Sequence, residues 1–423
     1  MLASLLLAVP SLQDVPHPRP GADPLAPWGY GAFGHGLANV GDLDGDGVDE
    51  LAIADMPVPG PHTLWITSGA DSRRLAVYSD DACLYDFGRS ISGVPDLDRD
   101  GVGDFIVGAP EGWEVALPGQ VRIYSGKSCT LLRVLQAPPG IRRFGAHVVG
   151  LADVDGDGAG DLLVDCGAEE PLRCGFVYSG ATGRLLHEVW SRPGLSQRRI
   201  DPIGDADGDG VPDLALVGRI EQSRTPVIRI HSGRDGRLLR EIASQVSSLG
   251  AGLRTVRLPD LDRDGSLDFL LTAKGMYEAY SLASLDVLYR GNFKNDPGSS
   301  DSAPVELVGD LNRDGFEDFL LASPDEDLFY GEVEFHSARD GTLLQQIHGR
   351  TSWRNVEIWR MGTDICRLGD FDHDGIGDFA WSAENYESGS PGLVFIHSGR
   401  DAKLLRVLAR GPQLGIVVLD PKG

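Results

Sequence analysis

Residues 96–107 read DLDRDGVGDFIV, and residues 153–164 read DVDGDGAGDLLV. The same pattern opens at Asp42 (DLDGDGVDELAI), Asp205 (DADGDGVPDLAL), Asp260 (DLDRDGSLDFLL), Asp310 (DLNRDGFEDFLL) and Asp370 (DFDHDGIGDFAW). Successive copies begin 50–60 residues apart. A period of this size marks one supersecondary unit repeated in tandem. Each copy places acids or an amide at positions 1, 3, 5 and 9, glycine at position 6 and three apolar residues at positions 10–12. An apolar run without alternation is a strand covered on both faces.

A second signature recurs further along each repeat. It reads RIYSG from Arg122, FVYSG from Phe176, RIHSG from Arg229, EFHSA from Glu334 and FIHSG from Phe395, with WITSG from Trp65 and EAYSL from Glu278 as weaker copies. A turn and a basic-apolar strand follow, as in GRLLHEV from Gly183, and a glycine turn between two such runs signals a hairpin. One repeat is therefore strand, acidic loop, strand, connection, strand, tight turn, strand. Four strands per repeat make one propeller blade. The predicted fold is all-β, a seven-bladed β-propeller of four-stranded antiparallel blades with one calcium-binding loop per blade.

The loop spacing carries the chemistry. Alternate residues of a tightly curled loop point at one centre, glycine at position 6 permits the sharp turn, and the position 7 carbonyl adds an oxygen. An all-oxygen set of this size suits calcium, whereas magnesium prefers a smaller octahedron and keeps its waters. The expected ligands are Asp42, Asp44, Asp46 and Glu50; Asp96, Asp98, Asp100 and Asp104; Asp153, Asp155, Asp157 and Asp161; Asp205, Asp207, Asp209 and Asp213; Asp260, Asp262, Asp264 and Asp268; Asp310, Asn312, Asp314 and Asp318; and Asp370, Asp372, Asp374 and Asp378. Up to seven calcium ions are implied. An EF-hand is excluded because position 12 is apolar in every copy, where that motif needs a bidentate Glu. Asn312 removes a charge, so the sixth site is expected to be the weakest.

Charge supports this placement. The formal net charge is −25, with 63 acidic residues. Twenty-seven of those acids sit at the loop positions, and without them the charge would be +2. The acidity is local to the loops, and four carboxylates in one loop repel unless a cation joins them. A balance this acidic argues against a basic nucleic-acid footprint.

At 41% hydrophobic residues the chain is too apolar for disorder, and its 56 glycines and 26 prolines suit many short strands. Residues 1–13 (MLASLLLAVPSLQ) read as a signal peptide, 14–27 as a proline-rich linker and 28–423 as the ring. Elsewhere there is no apolar run long enough to span a membrane. Of five cysteines, Cys166 and Cys174 flank a short segment between two apparent strands, a spacing open to a hairpin disulfide in an oxidising compartment. The tail QLGIVVLD, residues 413–420, resembles the opening strand of a further repeat and is expected to pair with the first or last blade.

These motifs resemble the FG-GAP repeat family, found in integrin alpha-chain propellers and many bacterial secreted proteins. Phe33-Gly34, Phe87-Gly88 and Phe144-Gly145 precede loops at one fixed offset, and Gly108-Ala109-Pro110 follows the second loop, with Ala322-Ser323-Pro324 a partial copy. The fourth and sixth repeats depart, with Ser196-Gln197 and Asp301-Ser302 in place of Phe-Gly. The resemblance implies a seven-bladed propeller with calcium on one face and an extracellular binding or adhesive role.

No catalytic constellation stands apart from the repeats. His231, His336 and His397 share one repeat position with Tyr124, Tyr178, Tyr280 and Thr67, which marks a structural site. His373, at position 4 of its loop, is expected to be exposed. Trp353 and Trp359, beside Arg354 and Arg360, are candidates for a binding surface or for packing between blades. The expected function is a monomeric, secreted, periplasmic or cell-surface module that is not an enzyme and binds an extracellular protein or glycan, with structural metal. The alternative is a polysaccharide lyase or hydrolase on the ring's central surface.

Overall fold

The computed structural model describes residues 30–419 apart from 59–61, 80–85, 111–117, 168–172, 224, 245–252, 274, 294–303, 325–330, 349–359, 384–391 and 411–415. The predicted signal peptide and linker lie outside the described residues, as do Trp353, Trp359 and the Cys174 side chain on which the predicted disulfide depends.

Each repeat folds as one antiparallel sheet whose strands lie in chain order. The first is built from Gly36–Asn39, Leu51–Asp55, Thr63–Thr67 and Arg74–Ser79. Six further sheets begin with Ile91–Val94, His147–Leu151, Leu195–Gly204, Arg254–Leu258, Val305–Leu307 and Met361–Arg367. The chain is a seven-bladed β-propeller. These first strands adjoin one another around a central channel, and Gly36–Asn39 meets Met361–Arg367 to close the ring. In every blade the acidic loop joins the first and second strands, and the tight turn joins the third and fourth.

The apolar run after each loop is a strand buried along its length, as in Leu51–Asp55, Asp104–Ala109, Asp161–Asp165 and Phe319–Ser323. Blades pack face to face, so both faces of this strand are covered. The outer strands, such as Leu238–Ala243, are half exposed. Phe33 is wholly buried and shares a cluster with Ala380 and Val394 of the seventh blade, so the Phe-Gly phenylalanine is a wedge between neighbours. In the seventh repeat Met361, also wholly buried, takes that place.

A second tie between blades runs along the outer strands. Arg133 donates to the carbonyls of Gly180 and Ala181 in the next blade's turn, at 3.1 and 3.0 Å. His187 reaches the Gly233 carbonyl at 2.7 Å, Arg240 that of Ala283 at 2.6 Å and Tyr289 that of Ala338 at 2.7 Å. Tyr78 reaches Cys129 at 3.1 Å, and Arg406 donates across the seam to Gly69 and Ala70 at 2.5 and 2.6 Å. The basic residue in the basic-apolar strand is thus a donor to the neighbouring blade. Replacing Arg133 with alanine is expected to cost about 1.5–3 kcal/mol, the range for hydrogen bonds from a charged group, read as a lower urea midpoint.

The C-terminal strand Ile416–Leu419 pairs antiparallel with Leu404–Arg410, with Val407 opposite Leu419 and Arg410 opposite Ile416. It therefore widens the last blade to five strands. Other contacts join the seventh blade to the first. The Leu37 N–H donates to Asp364 Oδ2 at 2.8 Å, and Phe371 seats against the turn at Gly69.

Candidate metal centres

The loop curls because its first carboxylate gathers the backbone amides ahead of it. In the second loop Asp96 accepts from the N–H groups of Asp100 (3.1 Å) and Gly101 (2.8 Å). Asp153, Asp205, Asp260, Asp310 and Asp370 repeat the pattern, and Asp42 accepts from Gly45 and Gly47. The glycine at position 6 holds a left-handed φ throughout, for example 93° at Gly101 and 84° at Gly210. Position 4 is left-handed too, and there Arg99, Arg263, Arg313 and His373 adopt φ of 60–64° without being glycine. Such residues carry local strain that the surrounding hydrogen bonds must hold. His373 is exposed, as expected.

Position 9 is the first residue of the second strand or the one just before it, and it is fully buried in all seven loops. One of its oxygens accepts the amide of position 2. Leu97 donates to Asp104 at 2.8 Å, Val154 to Asp161 at 2.6 Å and Leu311 to Asp318 at 2.8 Å, and Leu43 makes the same bond to Glu50. In four loops the other oxygen accepts from the glycine of the second signature. Gly126, Gly180, Gly233 and Gly399 donate to Asp104, Asp161, Asp213 and Asp378 at 2.9–3.0 Å. This role went unread in the sequence, where the second signature marked only a strand end. Its recurring Ser-Gly was the available signal. A Cβ on Gly126 would stand 1.9 Å from the Gly103 carbonyl, so glycine is needed for the turn to dock on the loop.

The carboxylates of positions 1, 3 and 9 converge. Oxygens of Asp96, Asp98 and Asp104 lie within 4.8 Å of one another, as do those of Asp153, Asp155 and Asp161, of Asp205, Asp207 and Asp213, and of Asp260, Asp262 and Asp268. In the first loop Asp46 at position 5 joins Asp42, Asp44 and Glu50. Elsewhere position 5 faces the docked turn. Asp100, Asp157, Asp264 and Asp314 approach Ser125, Ser179, Ser281 and Ser337 at 3.3–3.4 Å, while Asp209 and Asp374 pair with Arg234 and Arg400. Turn arginines also reach position 3, with Arg73 on Asp44 at 2.5 Å and Arg237 on Asp207 at 2.6 Å. In the sixth loop the Asn312 amide donates to Asp314 at 3.1 Å.

Burial, with the neighbouring loop carboxylates adding to it, pushes Glu50 up to about 7 and Asp213, Asp268, Asp318 and Asp378 up to about 6. Asp104 and Asp161 rise for the same reasons. Glu50 Oε1 and Asp318 Oδ1 are buried without a hydrogen-bond partner. Oxygen donors clustered this closely, crowded in charge and partly unpartnered, fit a hard divalent cation. These groups are able to hold metal ions.

The repeated histidines are structural. Nδ1 of His231, His336 and His397 faces the carbonyls of Gly236, Gly341 and Ala402 at 2.9, 3.2 and 2.9 Å, which ties the tight turn. Where position 10 of the loop is Phe, the ring at this repeat position also stacks on it across the strands. Phe319 lies on His336 with centroids 5.4 Å apart, Phe379 on His397 at 5.5 Å and Phe105 on Tyr124 at 5.3 Å. The Tyr-or-His choice follows from that stacking.

Integrin alpha-5 of Xenopus laevis is 28% identical to this chain over 225 residues, covering 47% of the chain and 21% of the integrin. About half of the chain thus has homologues among integrin alpha chains. Integrin alpha-V of Gallus gallus is 26% identical over 229 residues, 47% of this chain and 22% of its own length. Human integrin alpha-IIb is 35% identical over 159 residues, 31% of this chain and 14% of its own length. The FG-GAP match thus spans between 13% and 22% of the length of these curated relatives. No protein-family model matches the chain. Among solved structures, BBS1N in complex with ARL6DN shares the fold at a TM-score of 0.50 and 13% identity, covering 94% of both chains. Rhamnogalacturonan lyase YesW aligns at a TM-score of 0.44 and 14% identity, over 92% of this chain and 82% of its own. No helix among the described residues is long and apolar enough to cross a membrane.

Proposed function

We propose that this is a calcium-stabilised propeller of the secreted, periplasmic or cell-surface kind, acting as a non-catalytic binding or adhesive module for an extracellular protein or glycan. One observation carries the metal half of this reading, the convergence of the position 1, 3 and 9 carboxylates in loop after loop. Calcium would take those oxygens, the position 5 side chain turned inward and the position 7 carbonyl. Its role is structural, because each loop is bonded to its own blade's tight turn and closes the hairpin. The binding half rests on the likeness to integrin alpha propellers.

Calorimetric titration of the chelator-stripped chain with calcium tests the metal half. Up to seven ions are expected, at dissociation constants of about 10⁻⁴–10⁻³ M, the range of extracellular modules. The sixth loop should bind last, and Asn312→Asp should move it into the main transition. Heats no larger than dilution would overturn the assignment. A protein and glycan array probed with the calcium-loaded chain tests the binding half, and no retained ligand on either array counts against it.

A further inference from the structure

The central channel holds a cavity of about 1140 Å³ lined by seven arginines and four carboxylates. Its formal charge is thus +3, inside a chain whose net charge is −25. The arginines come from five of the blades and so converge from around the ring.

The seven arginines outnumber the four acids, whose oxygens are also held by the channel wall. Asp165 accepts the amides of Gly167 at 2.7 Å and Ile200 at 3.2 Å. Asp364 accepts those of Leu37 at 2.8 Å and Ile365 at 3.0 Å, and Glu306 that of Leu307 at 3.0 Å. Asp201 takes Arg199 Nε at 2.9 Å on one oxygen and the N–H and O–H of Thr255, both at 3.2 Å, on the other. Arg199 pairs with Asp201, Arg367 with Glu317 and Arg89 with Asp86, while Arg254 stands among like charges. Burial holds the Arg254 guanidinium down at about 10, and the charges of Arg199 and Arg89, on two other blades, push the same way against Asp364 and Asp201. Like charges gathered in a walled cavity focus a positive field that an incoming anion would relieve.

We propose that the channel is a binding site for an oligoanion carrying several closely spaced carboxylates, held by arginine forks from different blades. Guanidinium groups match carboxylates two bonds at a time, which selects carboxylates over a point anion. The cavity is far larger than one inorganic ion needs. Among the described residues no Trp, Tyr or Phe lines it, so these offer an uncharged sugar no ring to stack upon. The inference rests on the proposed role as a binding module and supplies that module's site and ligand class.

Calorimetry on the full, calcium-loaded chain tests it, with three probes: a trimeric uronic-acid oligosaccharide, triglutamate and a neutral trisaccharide. At least one carboxylate trimer should bind and weaken steeply from low to physiological salt, and the neutral trisaccharide should not bind. Whichever acidic trimer binds more tightly identifies the source of the carboxylates. Arg254→Gln should weaken binding about tenfold or more. Arg89→Gln, on an exposed side chain with little to lose in folding, should weaken it in the same direction. Equal binding of the neutral trisaccharide, no binding of either acidic trimer, or unchanged affinity in both variants would overturn the proposal. The melting shift on chelation is read on the same samples. A retained shift without ligand binding removes only the channel site, whereas a lost shift with ligand binding removes only the calcium reading.

Discussion

Chelation of divalent cations is expected to lower the melting temperature of the chain by roughly 10 °C or more. A site with a dissociation constant of about 10⁻⁴–10⁻³ M, in about 2 mM calcium, stabilises the folded state by about 0.7–1.8 kcal/mol. Seven such sites amount to about 5–13 kcal/mol, comparable to the whole stability of an ordinary domain, about 5–15 kcal/mol. The size of the effect comes from the number of sites and not from the strength of any one. Differential scanning fluorimetry with and without EDTA measures it, and magnesium should restore less than calcium because it gives up its waters reluctantly. A melting curve that EDTA leaves in place would remove the structural role of the metal.

The second large effect is steric. Gly126→Ala is expected to cost about 2–6 kcal/mol, combining overpacking of about 1–3 kcal/mol with a buried oxygen left unpaired at about 1–3 kcal/mol. The new Cβ would fall 1.9 Å from the Gly103 carbonyl oxygen and 2.7 Å from Leu43 Cδ2, a side chain of the preceding blade's loop. The turn would back away, and the Gly126 amide would leave Asp104. The sixth blade already shows this state, since Ala338 stands at the equivalent position and Asp318 Oδ1 has no partner. Ala338→Gly should therefore change stability by less than about 1 kcal/mol, the regained bond offset by the entropy of a new glycine. Equal urea midpoints for Gly126→Ala and the parent chain would show that the turn does not hold the loop.

The two variants also show where legibility in the sequence stopped. The blades could be read because loop and buried strand are adjacent in the chain and keep one spacing. Position 9 could be read as a candidate ligand but not as the anchor of a distant turn. Gly126 lies 22 residues from Asp104, and its role depends on a close approach that sequence does not display. The ties between blades were illegible for a different reason. Arg133, His187, Arg240, Tyr289 and Arg406 need only a long side chain with a donor, so no single residue type repeats. Met361 replaces the wedge phenylalanine because a buried apolar body of similar bulk suffices there. Arg360 apart, the channel arginines escaped notice because five of the blades give one or two each, and only ring closure brings them together.

Every blade is made from one unbroken stretch of chain, and none borrows its inner or outer strand from the opposite terminus. The order of assembly follows from that. Within a blade, pairing joins residues a few tens of positions apart, and the ties to the next blade span about fifty. Loops of this length close quickly and at modest entropic cost. The early blades are therefore able to form while later ones are still being made, each offering a finished face to its successor. The exceptions are the bonds across the seam, such as that from Leu37 to Asp364, which spans 327 positions, and that from Arg406 to Gly69, which spans 337. Until the seventh blade arrives, the first has no neighbour on one side, and Phe33 has nothing to wedge against. Closing the circle is therefore expected to come last and slowest in folding, and it covers the apolar face around Phe33 left open until then.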